Sequence, residues 1–142
     1  MWFSYNAKDK DGETMTKDLA LHLFITNHLD NSTSDYECLA HIQDNHLITY
    51  LEEDQSSKVS LNIEIHSLLL TRQNESKTQV HFQLDKNSEF FIETEEGRIQ
   101  GSVITSVLEL NLNHIHIEYQ LILEGEVITH QTIHYYLKEL MA

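Results

Sequence analysis

Histidine is the residue type with the clearest chemical potential in this sequence, since 10 of the 142 residues are histidines. His114 and His116 are two positions apart in an alternating segment, so their side chains project from one face of a strand. If the last two alternating segments pair as a hairpin, His134 lies opposite one of them, with His130 and Glu118 nearby. Three imidazoles and a carboxylate form a ligand set suited to zinc or iron(II). The sequence therefore offers His114, His116 and His134 as candidate metal ligands.

The same alternation argues against a metal ion at these histidines. Ile115 and Ile117 alternate with them and must face the core, so the imidazoles face outward. An outward face on a closed sheet meets solvent. We therefore interpret the histidines as a solvated polar face, with a dimer or partner contact as the alternative, and we expect no cofactor.

Arg72, Thr105 and Tyr119 are polar residues on predicted inward-facing positions. Arg72 alternates with Leu68 and Leu70, and an arginine on an apolar face needs a carboxylate or a ligand as its partner. It is interpreted as an anchor for an anionic head group, as half of a salt bridge, or as an outward-facing residue. Thr105 and Tyr119 are interpreted as the polar groups of a pocket or as core hydroxyls with internal hydrogen bonds.

The sequence contains no recognisable catalytic motif. Its single cysteine, Cys38, alternates with Tyr36 and Ala40 and is expected to be buried and unreactive. There is no Gly-x-Ser-x-Gly elbow, no phosphate-binding glycine loop and no Cys-x-x-Cys pair. The acidic runs at residues 52–54 and 93–96 are expected to be solvated loops, with a docking patch for a basic partner as the alternative. We therefore expect a protein that is not an enzyme.

Composition narrows the class of protein further. The chain has 9 basic and 23 acidic residues and a formal charge of −14, so its own field opposes the approach of nucleic-acid phosphates. A single cysteine excludes a disulfide scaffold. No apolar run reaches the roughly 18 residues of a membrane helix or resembles the core of a secretory signal. The sequence predicts a cytoplasmic protein with no nucleic-acid or membrane partner.

Apolar and polar residues alternate with period two through most of the chain, which predicts strands with one buried face. The predicted strands lie at residues 19–26, 36–42, 46–52, 59–65, 68–73, 80–84, 90–92, 99–110, 115–123 and 127–137. The sequence has no proline, so every strand interior keeps its amide donors. This pattern predicts an all-β fold, a single antiparallel up-and-down β-barrel of about 8–10 strands, because closure removes exposed edges.

The chain divides into a short polar start and one domain. Residues 1–14 are interpreted as a polar N-terminal arm or as a mis-assigned start that precedes a true start at Met15. Residues 15–142 form the single barrel domain. The oligomeric state stays open, and an edge left by incomplete closure would favour a homodimer.

Two interruptions of the alternation carry structural predictions. The apolar phase slips by one position within residues 99–110, and a β-bulge would cause that slip. In the last hairpin, a two-residue loop would place the apolar face of one strand beside the polar face of the other. The sequence therefore predicts a three-residue turn, Glu124-Gly125-Glu126, with Gly125 in the left-handed region.

Several short motifs occur in a fixed order along the chain. They are Leu70-Thr71-Arg72, Phe82, Ile92-Glu93-Thr94-Glu95-Glu96-Gly97, Thr105, Ile117-Glu118-Tyr119-Gln120-Leu121, Glu124-Gly125 and the closing strand at residues 133–137. In their order and spacing, from about residue 19 to residue 137, the chain resembles the YwiB-like family. The resemblance implies a calycin-type, lipocalin-like β-barrel, found in small intracellular proteins of Gram-positive bacteria that have no established function. Two positions depart from the family pattern, since Gln73 replaces a glycine and Ile92 replaces a tyrosine.

The barrel and the resemblance together suggest a binding protein, by analogy of fold. The leading hypothesis is an intracellular, non-enzymatic barrel that holds a small apolar or amphipathic ligand in its mouth. Its candidate lining residues are Arg72, Phe82, Ile92, Thr105 and Tyr119. The alternative is a protein-interaction module with a filled barrel that acts through its acidic loops. A metal site at the histidines is a third hypothesis.

Overall fold

The computed structural model describes residues 15–111 and 113–140, and all regular structure in these ranges is β-strand. The ten strands are β1 Thr16–Asn27, β2 Ser32–Gln43, β3 Leu47–Leu51, β4 Lys58–Ile63, β5 Ser67–Gln73, β6 Lys77–Gln83, β7 Ser88–Thr94, β8 Gly97–Leu110, β9 His114–Leu123 and β10 Glu126–Glu139. The interpretation of residues 1–14 as an arm or a mis-assigned start lies outside the described residues.

The ten strands form one closed barrel in the order in which they follow each other in the chain. Each strand pairs antiparallel with its sequence neighbours, and β1 closes the barrel by pairing with β10, from Leu19 opposite Glu139 to Asn27 opposite Gln131. Closure gives both end strands a partner. Because apolar and polar residues alternate along each strand, every strand has an apolar face that packs inside the barrel. The predicted all-β up-and-down barrel is confirmed, with a strand count at the upper end of the expected range.

Side chains from the inward faces of the strands pack the middle of the barrel. In β4, for example, Val59, Leu61 and Ile63 are buried and alternate with more exposed polar residues. The largest fully buried side chains are Tyr135, Phe82, Phe90, Leu21, Leu23, Ile48, Leu61, Leu68, Ile115, Ile117, Val59 and Val103. Because these side chains come from nearly every strand, they form one continuous core around the barrel axis.

Successive hairpin connections lie alternately at one end of the barrel and at the other, so the two ends carry different connections. The terminal end carries the first and last described residues and the connections β2–β3, β4–β5, β6–β7 and β8–β9. The distal end carries the connections β1–β2, β3–β4, β5–β6, β7–β8 and β9–β10. Both acidic runs of the sequence, residues 52–54 and 93–96, therefore lie at the distal end.

The β-bulge predicted for residues 99–110 is present in β8. Thr105 lies opposite Tyr119 and Val107 lies opposite Glu118, so Ser106 is an extra residue between two ladder positions. The extra residue shifts the inward phase of the strand by one position. The slip of the apolar pattern therefore has the physical cause that the sequence predicted.

The turn between β9 and β10 corrects the prediction of a three-residue loop. Leu123 pairs with Glu126, so the loop has two residues, Glu124 and Gly125, with positive φ values of 52° and 83°. Two successive positive φ values define the type I′ geometry, which matches the twist of the flanking strands. The extra residue is Ile128, a bulge near the start of β10. This bulge, rather than the loop, brings the two apolar faces together.

Strand β2 has a partly free edge. Its residues 40–43 pair with residues 47–50 of β3, whereas residues 32–39 pair with β1 alone within the described part of the chain. The exposed side chains of Asp35 and Glu37 lie along this free segment, and charges at an edge oppose strand addition. These charges disfavour pairing of the free segment with a second copy of the chain. Homodimer formation stays a prediction.

Candidate functional site

Arg72 lies at the distal end and has a carboxylate partner. Its Nε donates to Glu52 Oε1 at 2.6 Å, and its Nη2 donates to Ser57 Oγ at 3.4 Å. Asn74 Nδ2 also donates to Ser57 Oγ, at 3.3 Å. The half-buried cation is thus held by charge and by a hydroxyl. We call this set, Arg72 with Glu52, Ser57 and Asn74, the polar rim.

Hydrogen bonds within the β3–β4 connection stabilise the polar rim. Asp54 Oδ1 accepts the backbone N–H groups of Ser56 and Ser57, each at 2.9 Å. These bonds lower the pKa of Asp54 to about 2, so the carboxylate stays charged. Burial, with the charge of Glu52 nearby, raises the pKa of Tyr36 to about 12. The Tyr36 hydroxyl therefore stays protonated beside the rim.

Apolar side chains lie at the same end of the barrel as the polar rim. Ile92 is two positions beyond the buried Phe90, and Ile99 lies opposite Ile92, so both share the inward phase of the sheet. Ile99 is nevertheless 47% exposed, so solvent reaches this inward-phase position. We define the distal mouth as the apolar set Ile25, Tyr36, Leu70, Ile92, Ile99 and Leu123.

Phe82, Thr105 and Tyr119 lie deeper than the distal mouth and are buried. The rings of Phe82 and Tyr119 meet edge to face, with their centroids 4.8 Å apart. The Tyr119 hydroxyl donates to Gln131 Oε1 at 2.7 Å, and burial raises the pKa of Tyr119 above its ordinary range. Thr105 Oγ1 is buried and has no hydrogen-bond partner within residues 15–111 and 113–140.

The five residues predicted to line a ligand site therefore fall into two groups. Arg72 and Ile92 reach the distal mouth and its rim. Phe82, Thr105 and Tyr119 belong to the packed core, and a ligand could touch them only if the core opened. The role of all five residues in ligand binding stays a prediction.

Sequence reasoning did not identify the partners of Arg72. Glu52 and Ser57 precede it by 20 and 15 positions and belong to the β3–β4 connection. The register of the β4–β5 hairpin, with Lys58 opposite Gln73, could have placed Ser57 near Arg72. No comparable local signal indicates Glu52, because its position depends on the path of the loop.

The three candidate metal ligands of the sequence form a stacked array on the outer face. His134 lies opposite His116, and their ring centroids are 4.0 Å apart. His114 Nε2 lies 2.9 Å from His134 Nδ1, within hydrogen-bond distance. His116 Nδ1 is hydrogen-bonded to Glu109 Oε1 at 2.8 Å, and Tyr136 stacks on His114. Each of the three imidazoles thus already has a direct partner.

The stability of the protein is expected to depend on the protonation of His134. Burial, together with His116 and His114, lowers the pKa of His134, and Glu109 opposes this effect. The folded state therefore binds this proton less well than the unfolded chain, whose histidines titrate near pH 6.5. The contribution is present above about pH 6.5 and is lost as the pH falls through the lower folded value. We expect His134→Gln to flatten the loss of stability between pH 7 and pH 5, measured by urea unfolding.

His66→Gln is the matched control for this pH dependence, since His66 is exposed in the β4–β5 connection. It should leave the slope of stability against pH unchanged. If His134→Gln retains the full pH dependence of the parent protein, the assignment to the stacked array is wrong.

A second histidine group lies on the same outer face, nearer the distal end. The Nε2 atoms of His28 and His130 lie 4.0 Å and 3.9 Å from Glu118 Oε1. The two imidazole centroids are 4.5 Å apart, and candidate ligand atoms of all three side chains lie within 4.8 Å of one another. The sequence placed His130 and Glu118 on one face but did not indicate His28, which comes close only through closure of β1 on β10.

The distal end also carries an acidic groove of about 800 Å³. Asp54, Glu75, Glu95 and Glu96 contribute its carboxylates, and serine, threonine and asparagine side chains lie between them. The groove combines three connections of the distal end, β3–β4, β5–β6 and β7–β8. The fold thus brings together two acidic runs that are far apart in the sequence.

The fold defines the class of protein to which this chain belongs, which is a closed ten-stranded up-and-down β-barrel with a packed core. A family model described as "Domain of unknown function (DUF1934)" matches residues 25–134, and the chain belongs to this family. No curated protein matches the sequence. Within the described residues, no helix is long and apolar enough to cross a membrane.

A solved structure, the ywiB protein from Bacillus subtilis, shares the fold. The two chains superpose with a TM-score of 0.59 at 15% sequence identity, over 85% of this chain and 92% of that chain. A likeness at this identity concerns the fold alone. Together with the family match, it confirms the resemblance to the YwiB-like family that the sequence motifs indicated.

Proposed function

We propose that this protein is a non-enzymatic binder of a small apolar or amphipathic molecule, held at the distal mouth. The observation that carries the proposal is the arrangement at this end of the barrel. Partly exposed apolar side chains, among them Ile92 and Ile99, lie beside the Arg72–Glu52 ion pair. An amphipathic molecule would place its apolar part on the mouth and its polar group against the rim, as in many small-molecule sites.

The packed core limits the depth of the proposed site. Phe82, Phe90 and Tyr135 are fully buried within the barrel. We therefore propose a ligand that the mouth and its loops hold, rather than one that occupies the axis of the barrel. Arg72 keeps guanidinium N–H groups beyond its bonds to Glu52 and Ser57, so it can donate to an anionic or carbonyl group of the ligand.

We also propose a cytoplasmic location. The only cysteine, Cys38, is half-buried and unpaired, and burial raises the pKa of its thiol. A lone, weakly acidic thiol fits a reducing compartment, where no disulfide contributes to stability.

Native mass spectrometry tests the proposal even though the ligand is unidentified. Protein purified without a metal-affinity tag should carry an added mass of small-molecule size, because a bound ligand survives gentle ionisation. The added mass should be lost on denaturation, and its value would give the molecular mass of the ligand. A native mass equal to that of the bare chain, or of a bare dimer, would contradict the proposal.

A carboxylate in the distal mouth should weaken binding of an amphipathic probe. We expect Ile99→Glu to reduce the affinity for anilinonaphthalene sulfonate by at least about tenfold, since the charge must lose water when the apolar probe covers it. Fluorescence titration measures the affinity. Ile104→Glu is the matched control, because Ile104 is on the outward phase of the same strand with a similar exposure of 39%. Equal affinities of the two variants would place the probe elsewhere.

The acidic groove favours a second function, docking of a basic protein partner. A chain with a net charge of −14 and clustered carboxylates attracts cationic segments, and salt screens this attraction. A lysine-rich peptide should then bind in a salt-sensitive way and lose affinity with the double variant Glu95→Gln/Glu96→Gln. Asp35→Asn/Glu37→Gln removes the same charge from β2 and is the control. Equal losses of affinity in both variants would show that peptide binding depends on net charge alone, and would contradict docking at the groove.

A further inference from the structure

We infer that His28, Glu118 and His130, on the outer face of the barrel, bind a divalent transition-metal ion, with zinc as the best chemical fit. Two imidazole nitrogens and one carboxylate oxygen form a ligand set of open zinc sites, which keep a further position for water or another exchangeable ligand. Calcium and magnesium prefer sets of oxygen ligands and fit these residues less well. The inference does not depend on the function proposed for the distal mouth.

The distances within the group suit a metal ion better than direct contacts between the side chains. Hydrogen bonds between nitrogen and oxygen span about 2.7–3.2 Å, whereas Glu118 Oε1 lies 4.0 Å from His28 Nε2 and 3.9 Å from His130 Nε2. Ligands at about 2.0–2.2 Å from a tetrahedral zinc ion are about 3.3–3.6 Å from each other. Small rotations of the three side chains would therefore close the group around an ion.

Several other histidines of the described chain make a short direct contact with an ionisable partner, which leaves no gap for an ion between the two groups. His41 Nδ1 lies 2.7 Å from Asp18 Oδ1, and His116 Nδ1 lies 2.8 Å from Glu109 Oε1. His114 and His134 are within hydrogen-bond distance of each other. Of the described residues, His28, Glu118 and His130 alone bring three potential ligand atoms around a shared gap.

The sheet holds the backbones of the three residues in place. The His28 N–H donates to the His130 carbonyl at 2.8 Å, which extends the β1–β10 ladder by one pair beyond Asn27 and Gln131. The Glu118 carbonyl accepts a hydrogen bond from Ser106 Oγ at the β8 bulge, at 3.2 Å. A ligand set on paired strands loses little conformational freedom when it binds an ion.

The bulge in β10 determines the side of the sheet on which His130 lies. The bulged residue, Ile128, shifts the register so that His130 pairs with Gln120. If Ile128 instead took a regular ladder position opposite Leu121, His130 would pair with Tyr119 and would share its inward phase. Bulges often re-aim a side chain at a functional site, and here the bulge places an imidazole beside Glu118.

Thr132 competes with a metal ion for His28. Its Oγ1 lies 2.7 Å from His28 Nε2, so coordination through this nitrogen replaces a hydrogen bond. Thr132 also lies opposite Glu118 in the β9–β10 ladder. Thr132→Val should therefore strengthen zinc binding or leave it unchanged, because it removes the competing bond and no proposed ligand.

Zinc titration of the full chain without an affinity tag tests the inference. In competition with a chromophoric chelator, the parent protein should show one site tighter than all others. The double variant His28→Gln/His130→Gln should lower the affinity of this site at least about 100-fold, since loss of an outer-shell partner alone costs about 10–100-fold. Zinc should also raise the thermal midpoint of the parent protein but not that of the variant.

His114→Gln/His116→Gln is the matched control, because it removes two imidazoles from the same face and keeps the proposed ligands. It should retain the tight site. Loss of zinc binding in this control, or equal binding by both double variants, would overturn the inference and leave adventitious binding to surface histidines. Circular dichroism of each variant separates loss of the fold from loss of a ligand.

Cobalt(II) gives a second readout that is independent of affinity. A four-coordinate site produces intense visible absorption, whereas ions held by scattered surface imidazoles and water give weak bands. The parent protein should show the intense spectrum with one cobalt per chain. Glu118→Gln should change the spectrum, because it replaces a charged oxygen ligand by an amide. An unchanged spectrum in Glu118→Gln would exclude this carboxylate as a ligand.

Discussion

Phe82→Ala is expected to lower the free energy of unfolding by about 3–5 kcal/mol, the usual cost of truncating a fully buried phenylalanine. Phe82 is 0% exposed, and its ring meets Tyr119 edge to face within the barrel. The loss combines the transfer of the ring out of the core with the cavity that it leaves. The midpoint of urea unfolding, monitored by circular dichroism, measures the change.

Phe91→Ala is the matched control for Phe82→Ala. Phe91 is on the adjacent strand, on the outward phase, with the guanidinium of Arg98 4.0 Å above its ring centroid. Loss of this partly exposed contact should cost about 1–2 kcal/mol. Similar losses in the two variants would contradict a packed core around Phe82 and favour a cavity there. The comparison therefore also tests whether Phe82 can line a ligand site without rearrangement of the core.

The sequence predicted the strands well because one simple requirement, burial of one face, determines their pattern. Val59, Leu61 and Ile63 alternate in the sequence and are buried in β4. The slip of that pattern in β8 could have only a local cause, and the bulge at Ser106 provides it. The same argument placed His134 opposite a histidine of β9, because cross-strand partners share a face.

The alternating pattern does not determine how the last hairpin brings the apolar faces of β9 and β10 to the same side of the sheet. An odd-length loop and a two-residue turn followed by a bulge bring the same faces together. The structure has the turn Glu124-Gly125 and the bulge at Ile128. The type I′ turn fits the strand twist better than a longer loop, and this preference depends on geometry rather than on apolar pattern. Ile65 extended the pattern in the sequence, yet β4 ends at Ile63 and Ile65 is exposed.

The candidate sites were harder to predict than the strands, because they depend on contacts between distant segments. His28 and Thr132 are 104 positions apart and meet only when β1 closes on β10. Glu52 reaches Arg72 from a loop whose path no periodicity describes. A sequence pattern reports the face on which a residue lies. It does not report which loop or which closing strand lies beside that face.

Gly101→Ala is expected to destabilise the protein by about 3 kcal/mol, the upper end of the usual cost of overpacking. A Cβ at this position would overlap the ring of Phe90 and the carbonyl oxygen of Ile122. The sign of the change in stability distinguishes a covered glycine from an open one. Alanine in an open strand position stabilises by about 0.5–1 kcal/mol relative to glycine, because the unfolded glycine has more conformational freedom. Urea unfolding measures the sign as well as the size.

Two further variants separate the steric overlap from a general effect of mutating β8. Ser102→Ala, at the exposed neighbouring position, should change stability by no more than about 0.5 kcal/mol. In the double variant Gly101→Ala/Phe90→Leu, the smaller side chain makes room for the methyl group. The two losses should then sum to more than the measured loss of the double variant, since contacting residues are coupled. Strict additivity, or a stabilised Gly101→Ala, would show that the ring of Phe90 does not cover this glycine.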